Sequence, residues 1–474
     1  MLTSDDNTIE GELRDLIARG PAGAQLPSVR ELTRRHRASP VTVQRVVTRL
    51  AHEGLVDARP GHGTFVAARR PRPAADVSWQ TLTLGARPLP GDGLSDLAVE
   101  PPDGVLSLAT GYPDRSLWPV GLLASAAARA ARRPEAWGRA NAQGHPALRA
   151  WFAAEAGAGM RPEDVLVVAG GQAALSAAFR SLAAPGDPIV LESPTYVGAI
   201  EAARAAGLRP VPVPVDAEGL RVDLAEAALR ATGAALVYVQ PRLANPTGTT
   251  LPAERRTALL RAARAAGAFV IEDDFVRDLA EPGGPAPMLS DDVDGHVVSV
   301  RSLTKSTAPA LRIAAVIARG PAMGRLRNAR LVDDFFVSGM LQETALGVVT
   351  APGWQRHVAA LRRELAERMA VATVALDGVP GVRLDVRPRG GFLLWLRLDA
   401  GADATAVAAE ARGAGVLVTP GSPWFPAEPD GAYLRLSVAG IARADIGEGV
   451  RRLNDALGAT TGRPSSRRRA RPLR

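Results

Sequence analysis

The chain has 474 residues, a net charge of +8 and no cysteine. At roughly 100–200 residues per domain it holds more than one domain, and the missing thiols exclude a disulfide framework, a thiolate zinc site and a cysteine nucleophile. No uncharged apolar run reaches the roughly 18 residues of a membrane span. The acidic start (Asp5, Asp6, Glu10) is unlike a secretory signal, so a cytoplasmic protein is expected.

Residues 7–67 read as a small helical domain ending in a β-wing. Ile9, Leu13, Leu16 and Ile17 recur at helical spacing, and Gly20-Pro21-Ala22-Gly23 breaks that helix. A second helix begins near Pro27-Ser28, with Ser28 as N-cap and Glu31 completing a capping box. A third begins at Ser39-Pro40, where Ser39 caps and Pro40 takes the first helical position. Val43, Val46, Val47 and Leu50 point inward and leave Thr42, Gln44, Arg45 and Arg49 outward. Leu55-Val56 and Thr64-Phe65-Val66 flank a hairpin tip, Pro60-Gly61-His62-Gly63. Such a third helix fits the major groove, where Arg reads guanine and Gln reads adenine. Arg30 and His62 are placed for phosphate or minor-groove contact. A protein-interaction domain with a polar helix face offers the same pattern.

Residues 69–104 are dense in Pro and Gly and read as a linker, with Trp79, Leu82 and Leu84 available to dock it. From about 105 to 458, apolar strands alternate with Ala/Arg/Leu-rich helices, which means βαβ units and a mostly parallel sheet. The strands are placed at Val165–Val168, Ile189–Glu192, Ala235–Val239, Phe269–Glu272, Val297–Val300 and Ile313–Ile317. Beyond Gly381, Val382–Val386, Phe392–Leu398, Val416–Val418 and Tyr433–Ser437 read as a smaller α+β domain. Residues 459–474 form an Arg-rich tail expected to be disordered.

The charge is local. Residues 1–73 carry 12 Arg against eight acidic residues, and residues 463–474 carry six Arg and no acid. Localised positive charge suits double-stranded DNA, because phosphate neutralisation releases counterions; a solvated basic tail is the plainer alternative.

Among 57 basic side chains there is a single lysine, Lys305. Arginine replaces lysine wherever only charge is needed, but its guanidinium is not a usable amine nucleophile. Lys305 is therefore a candidate Schiff-base residue. It follows an apolar strand, as α/β sites do, and Ser302, Ser306 and Arg312 beside it suit a phosphate. Three more segments fit a phosphorylated carbonyl cofactor. Gly170-Gly171-Gln172 opens a helix whose free N–H groups attract an anion. Asp273 ends a strand and can keep a pyridine nitrogen protonated. Asn245-Pro246-Thr247-Gly248 offers an amide for a phenolate oxygen. Each alone is as readily a turn or a cap.

Two resemblances follow from these motifs. Leu26–Leu32, Ser39–Val43 and Gly61–Val66 resemble the GntR-family winged helix-turn-helix, which implies DNA contacts by Arg30, Thr42, Gln44, Arg45 and the His62 wing. The ordered segments of residues 105–458 resemble the class I/II aminotransferases of fold type I. That resemblance implies pyridoxal 5′-phosphate held on Lys305, with Asp273 at the ring nitrogen and Asn245 at the phenolic oxygen. It also implies Gly171, Gln172, Ser302 and Arg312 at the phosphate, Tyr196 stacked on the ring and Arg435 on a substrate carboxylate. The fusion resembles MocR-type regulators, with residues 1–68 as reader and an amine or amino acid as a possible effector. By the same resemblance the protein is a homodimer. The alternative is a working aminotransferase with an auxiliary DNA domain. Two departures stand out: Phe275 replaces a tyrosine that relatives direct at the phenolic oxygen, and Trp137–Gly144 lacks the tyrosine that relatives place ahead of that glycine, with Arg139 in the region instead.

Overall fold

Two serine caps fix the geometry of the N-terminal domain. Ser28 Oγ accepts from the Glu31 N–H, and Ser39 Oγ accepts from the Thr42 N–H. They start α2 (Val29–His36) and α3 (Pro40–His52), which follow α1 (Ser4–Arg19). Only Arg37, Ala38 and Ser39 separate α2 from α3. Arg37 makes that turn with φ +51°, the left-handed conformation usual at a helix C-terminus. Ile9, Leu13, Leu32, Val43, Val46, Val47 and Leu50 are buried together. β1 (Val56–Arg59) and β2 (Gly63–Val66) pair antiparallel, with Arg59 opposite Gly63, as the wing.

The computed structural model describes residues 4–67, 76–85, 94, 100–281 and 283–461. The chain divides into two compact units, Met1–Pro88 and Leu89–Arg474. The stretch read as a linker contains a short helix, α4 (Ser78–Leu84). Trp79, Leu82 and Leu84 on it are exposed. Leu94 packs against the aromatic cluster of Trp395, Trp424, Phe425 and Tyr433. The tail expected at 459–474 is corrected at its start, since residues 459–461 belong to the helix Ile446–Thr461; the rest of it, and Arg69, Arg70 and Arg72, lie outside the described residues.

The second unit is built on an eight-stranded sheet. After β3 (Leu106–Ser107) come β4 (Val165–Val168), β5 (Pro188–Ser193), β6 (Arg209–Asp216), β7 (Gly219–Leu220), β8 (Leu236–Val239), β9 (Phe269–Asp273), β10 (Val297–Ser302) and β11 (Ala314–Ile317). The spatial order is β4-β11-β10-β9-β8-β5-β6-β7. β6, β5, β8, β9 and β10 run parallel, and β11 is antiparallel to both neighbours. Apolar clusters cover both faces of the sheet, which is why its strands read as continuous hydrophobic runs.

β6 is not among the expected strands. Its Arg-Pro-Val-Pro-Val-Pro-Val-Asp run reads as a breaker, since proline cannot donate to a ladder. The three prolines lie at alternate positions, and the Arg209 N–H, in the other register, meets Asp187 O at 2.8 Å. They therefore cost the β5 ladder nothing.

The smaller domain holds β12 (Val382–Leu384), β13 (Leu393–Leu398), β14 (Val416–Leu417), β15 (Thr419–Pro420) and β16 (Tyr433–Ser437). Its sheet runs β12-β13-β16-β15. The expected strand at 416–418 is corrected here: β14 leaves that sheet and pairs parallel with β3. That pairing brings the loop after β3 into the second domain.

Candidate functional site

The parallel strands end on one edge of the large sheet, where α/β ligand sites form. β9 ends in Asp273, which is buried. Its Oδ2 accepts from the Tyr238 hydroxyl and from the Gln240 amide, each at 2.8 Å. Burial pushes the Asp273 carboxyl up to about 6, while Gln240, Tyr238 and Lys305 oppose that rise. Asp273 is thus mainly ionised at neutral pH and able to hold a cationic ring nitrogen.

Lys305 lies three residues beyond β10. Its Nζ sits 3.8 Å from the Tyr112 ring centroid. Burial, then Arg435 and Arg312, pulls its amine down to about 7, with Asp273 acting the other way. A large uncharged fraction therefore exists at neutral pH, and the uncharged amine is the form that attacks a carbonyl.

Asn245 Oδ1 accepts from Arg435 Nε at 2.9 Å and from Trp424 Nε1 at 3.3 Å. With its oxygen so held, the amide nitrogen is left to donate. Arg435 also donates from Nη1 to the Ala109 carbonyl at 2.8 Å, and its guanidinium lies over the Trp424 ring. Burial lowers Arg435 to about 10, still charged at neutral pH. A Cβ on Gly111 would stand 3.4 Å from Arg435 Nη2 and 3.8 Å from Lys305 Nζ. That glycine keeps open the gap between the Arg435 guanidinium and the Lys305 amine.

At the other end, Gly171 begins the helix Gly171–Leu182 after Gly170 at φ +95°. A Cβ on Gly170 would meet Arg312 Nη2 at 2.5 Å, so glycine there admits the guanidinium beside the helix N-terminus. Arg312 Nη2 also donates to the Ala169 carbonyl at 3.1 Å. A helix N-terminus, an arginine fork and a nearby hydroxyl suit a phosphate. The residues present therefore fit pyridoxal 5′-phosphate.

Two expectations change. Gln172 spends its side chain elsewhere: Nε2 donates to the Gly198 carbonyl at 2.7 Å and Oε1 accepts from Tyr196 at 3.2 Å. Its backbone N–H is what remains for an anion, while its amide steadies Tyr196. Ser306 turns away and donates to Asp278 Oδ2 at 2.7 Å. Ser302 remains close to Gly171, although its hydroxyl donates to Thr304 Oγ1 at 3.0 Å. Phe275 packs into the smaller domain's apolar cluster. Trp137 and Arg139 are exposed.

Sequence reasoning misses Tyr112, Tyr238, Gln240 and Trp424. One signal exists: the chain has four tyrosines, and Tyr112, Tyr196 and Tyr238 all meet site residues. Tyr238 and Gln240 also share strand parity, which brings both to Asp273. No local pattern marks Tyr112 or Trp424.

In the N-terminal domain, Arg30, Gln44, Arg45 and His62 are exposed. Thr42 is half-buried, its hydroxyl 2.9 Å from Ser39 Oγ. Arg49, expected to face outward, is instead ion-paired with Glu10 of α1. Val41, which no motif marks, is exposed on the same helix. Among the described residues, no helix is long and apolar enough to cross a membrane.

Residues 104–453 match the family described as aminotransferase class I and II, and residues 6–66 match the bacterial regulatory proteins of the gntR family. The chain belongs to the class I and II aminotransferase family, whose members are pyridoxal phosphate-dependent and of fold type I. A gntR-type reader and an aminotransferase-type body in one chain is the architecture of the MocR-type GntR regulators. It is 34% identical over 361 residues to a 2-aminoadipate transaminase of Thermus thermophilus, covering 75% of this chain and 90% of that one. It is 28% identical to the probable rhizopine catabolism regulatory protein MocR of Rhizobium meliloti, covering 92% and 90%. The crystal structure of LysN, an α-aminoadipate aminotransferase of Thermus thermophilus complexed with N-(5′-phosphopyridoxyl)-L-leucine, matches with TM-score 0.72 and 31% identity, over 78% of this chain and 98% of that one.

Proposed function

We propose that the protein is a cytoplasmic, homodimeric transcription regulator whose body responds to pyridoxal 5′-phosphate or to an amine or amino acid that reacts with it. The observation that carries this reading is the presence, in one chain, of an exposed α3 face and a set of groups around Lys305 that suits the cofactor. The proposed division is residues 1–68 as reader, 69–104 as linker, 105–461 as sensor and 462–474 as tail.

When bound, pyridoxal 5′-phosphate supplies a carbonyl that captures primary amines and a ring that withdraws electrons. Lys305 offers the amine that holds it. Asp273 keeps the proton on the ring nitrogen, and Asn245 donates to the phenolic oxygen. Tyr196 would stack on the ring. The N–H groups of Gly171 and Gln172, the Ser302 hydroxyl and the Arg312 fork hold the phosphate. Arg435 binds an effector's carboxylate beside the gap at Gly111. In the reader, Gln44 and Arg45 address base edges from α3, with Thr42 beside them, and Arg30 and His62 hold the backbone. A ligand shifts DNA affinity only by binding the reader-competent state better than its alternative.

The second reading is a turning-over aminotransferase. It is favoured by Lys305, Asp273 and Arg435 standing together with the charge states that transfer requires, and Phe275 counts against it. Fluorescence anisotropy on DNA from the gene's own upstream region, with and without the cofactor, tests the first reading. Saturable, sequence-selective binding that changes with the cofactor is the expected result. Weak, salt-sensitive binding to any DNA, together with steady amino-acid turnover, would transfer the assignment to the enzyme.

A further inference from the structure

Gln240 belongs to no motif used so far, yet it touches three parts of the site at once. It follows β8 and is buried. Its Nε2 donates to Asp273 Oδ2 at 2.8 Å, and its Oε1 accepts from the Asn245 N–H at 2.8 Å. Its own N–H donates to Glu192 Oε2 at 2.9 Å. Glu192 is buried at the end of β5, and burial pushes its carboxyl up to about 8.

We infer that Gln240 is a positioning residue that locks the ring-nitrogen partner Asp273 to the phenolic-oxygen partner Asn245, so that both ends of the cofactor's ring are addressed from one side-chain amide. The inference rests on the cofactor reading above. A glutamine is suited to the task because one planar group offers a donor and an acceptor in fixed relation. A hydrocarbon of the same size offers neither, and each lost partner would then be a buried polar group without a mate.

The groups facing Asp273 are Tyr238, Gln240, Asp274, Lys305, Glu192 and Tyr196. Gln240 is the largest of the influences that keep Asp273 ionised against burial. The lock therefore bears on the protonation of the ring as well as on its placement.

The test uses the full chain, pyridoxal 5′-phosphate and three variants, read by cofactor affinity and by the pH midpoint of the bound cofactor's visible band. Gln240→Met removes both bonds. It should weaken affinity about tenfold or more, as loss of a hydrogen bond to a charged group does, and move the midpoint. Tyr238→Phe removes only the other donor to Asp273. It should move the midpoint in the same direction but weaken affinity less than Gln240→Met does, because the Asn245 N–H keeps its partner. Gln240→Glu offers a donor and an acceptor while its carboxyl is protonated and repels Asp273 once ionised. It should match wild type near the acid end and lose affinity as pH rises, a pattern that simple misfolding does not produce. Wild-type affinity and midpoint in Gln240→Met would overturn the inference. So would a Gln240→Glu protein equally impaired at every pH, which remains informative if Gln240→Met does not fold. A wild-type chain that takes up no cofactor through Lys305 would instead overturn the reading beneath it.

Discussion

The two halves of this chain use cations in opposite ways. In the reader, Arg30 and Arg45 stand in solvent, where full charge and reach are what a polyanion needs. In the body, Arg435 and Lys305 are taken out of water, and burial lowers both. Burial costs an arginine little of its charge, because its ordinary value is so high, but it carries a lysine to the edge of neutrality. The lesson concerns residue choice. Arginine fills every other basic position, and the single lysine stands where the proposed function calls for a removable proton.

Lys305→Ala carries the largest expected effect. It should abolish the visible band after reconstitution and dialysis, while DNA affinity measured without cofactor stays within about twofold. A retained band would erase the contrast. Lys305→Arg should behave like the alanine variant. Leu50→Ala attacks the other side: the leucine is fully buried among α1–α3, so calorimetry should show the reader destabilised by about 2–5 kcal/mol. Cofactor uptake should survive; joint loss of both would mean that the halves do not fold separately. Asp273→Ala should weaken cofactor binding by about 1.5–3 kcal/mol, since it removes the carboxylate proposed to hold the ring nitrogen, and it should also lower stability by leaving the Tyr238 hydroxyl and the Gln240 amide without their acceptor. Arg45→Ala should cost about 1–3 kcal/mol on the cognate DNA site and much less on random DNA, with uptake untouched. Last, cofactor capture should rise about fivefold from pH 6 to 7, reach roughly tenfold by pH 8 and then flatten, following the uncharged Lys305 amine, lowered to about 7. A midpoint near 10 would place Lys305 in solvent-like surroundings and end the contrast from the other side.

Much of the fold is legible because its signals are local. Ser28 and Ser39 announce their helices through cap chemistry, and both faces of the sheet are covered, so its strands stand out as apolar runs. What escapes depends on distant partners. The Gln172 amide is expected at the phosphate, but Gly198 and Tyr196 claim it from 26 and 24 residues away. Arg49 looks free on its helix until α1 supplies Glu10. Val416–Leu417 has strand composition, yet β3, more than 300 residues earlier, decides where it pairs. Tyr238 and Gln240 are visible as a strand end, but Asp273 alone gives them a purpose.

The prolines of β6 have a further consequence. Pro210, Pro212 and Pro214 share the register opposite to Arg209, so the ladder positions they occupy face away from β5. On that side only the two-residue β7 follows, pairing with Val215 and Asp216. An open sheet margin is a template on which a second polypeptide can add a strand. The residues of the 210–214 run that face this margin are all prolines and offer no N–H, so the carbonyls of an incoming chain would find no donor there. The run that disguises the strand in the sequence also guards the folded protein, and its partly folded forms, against growing into a larger sheet.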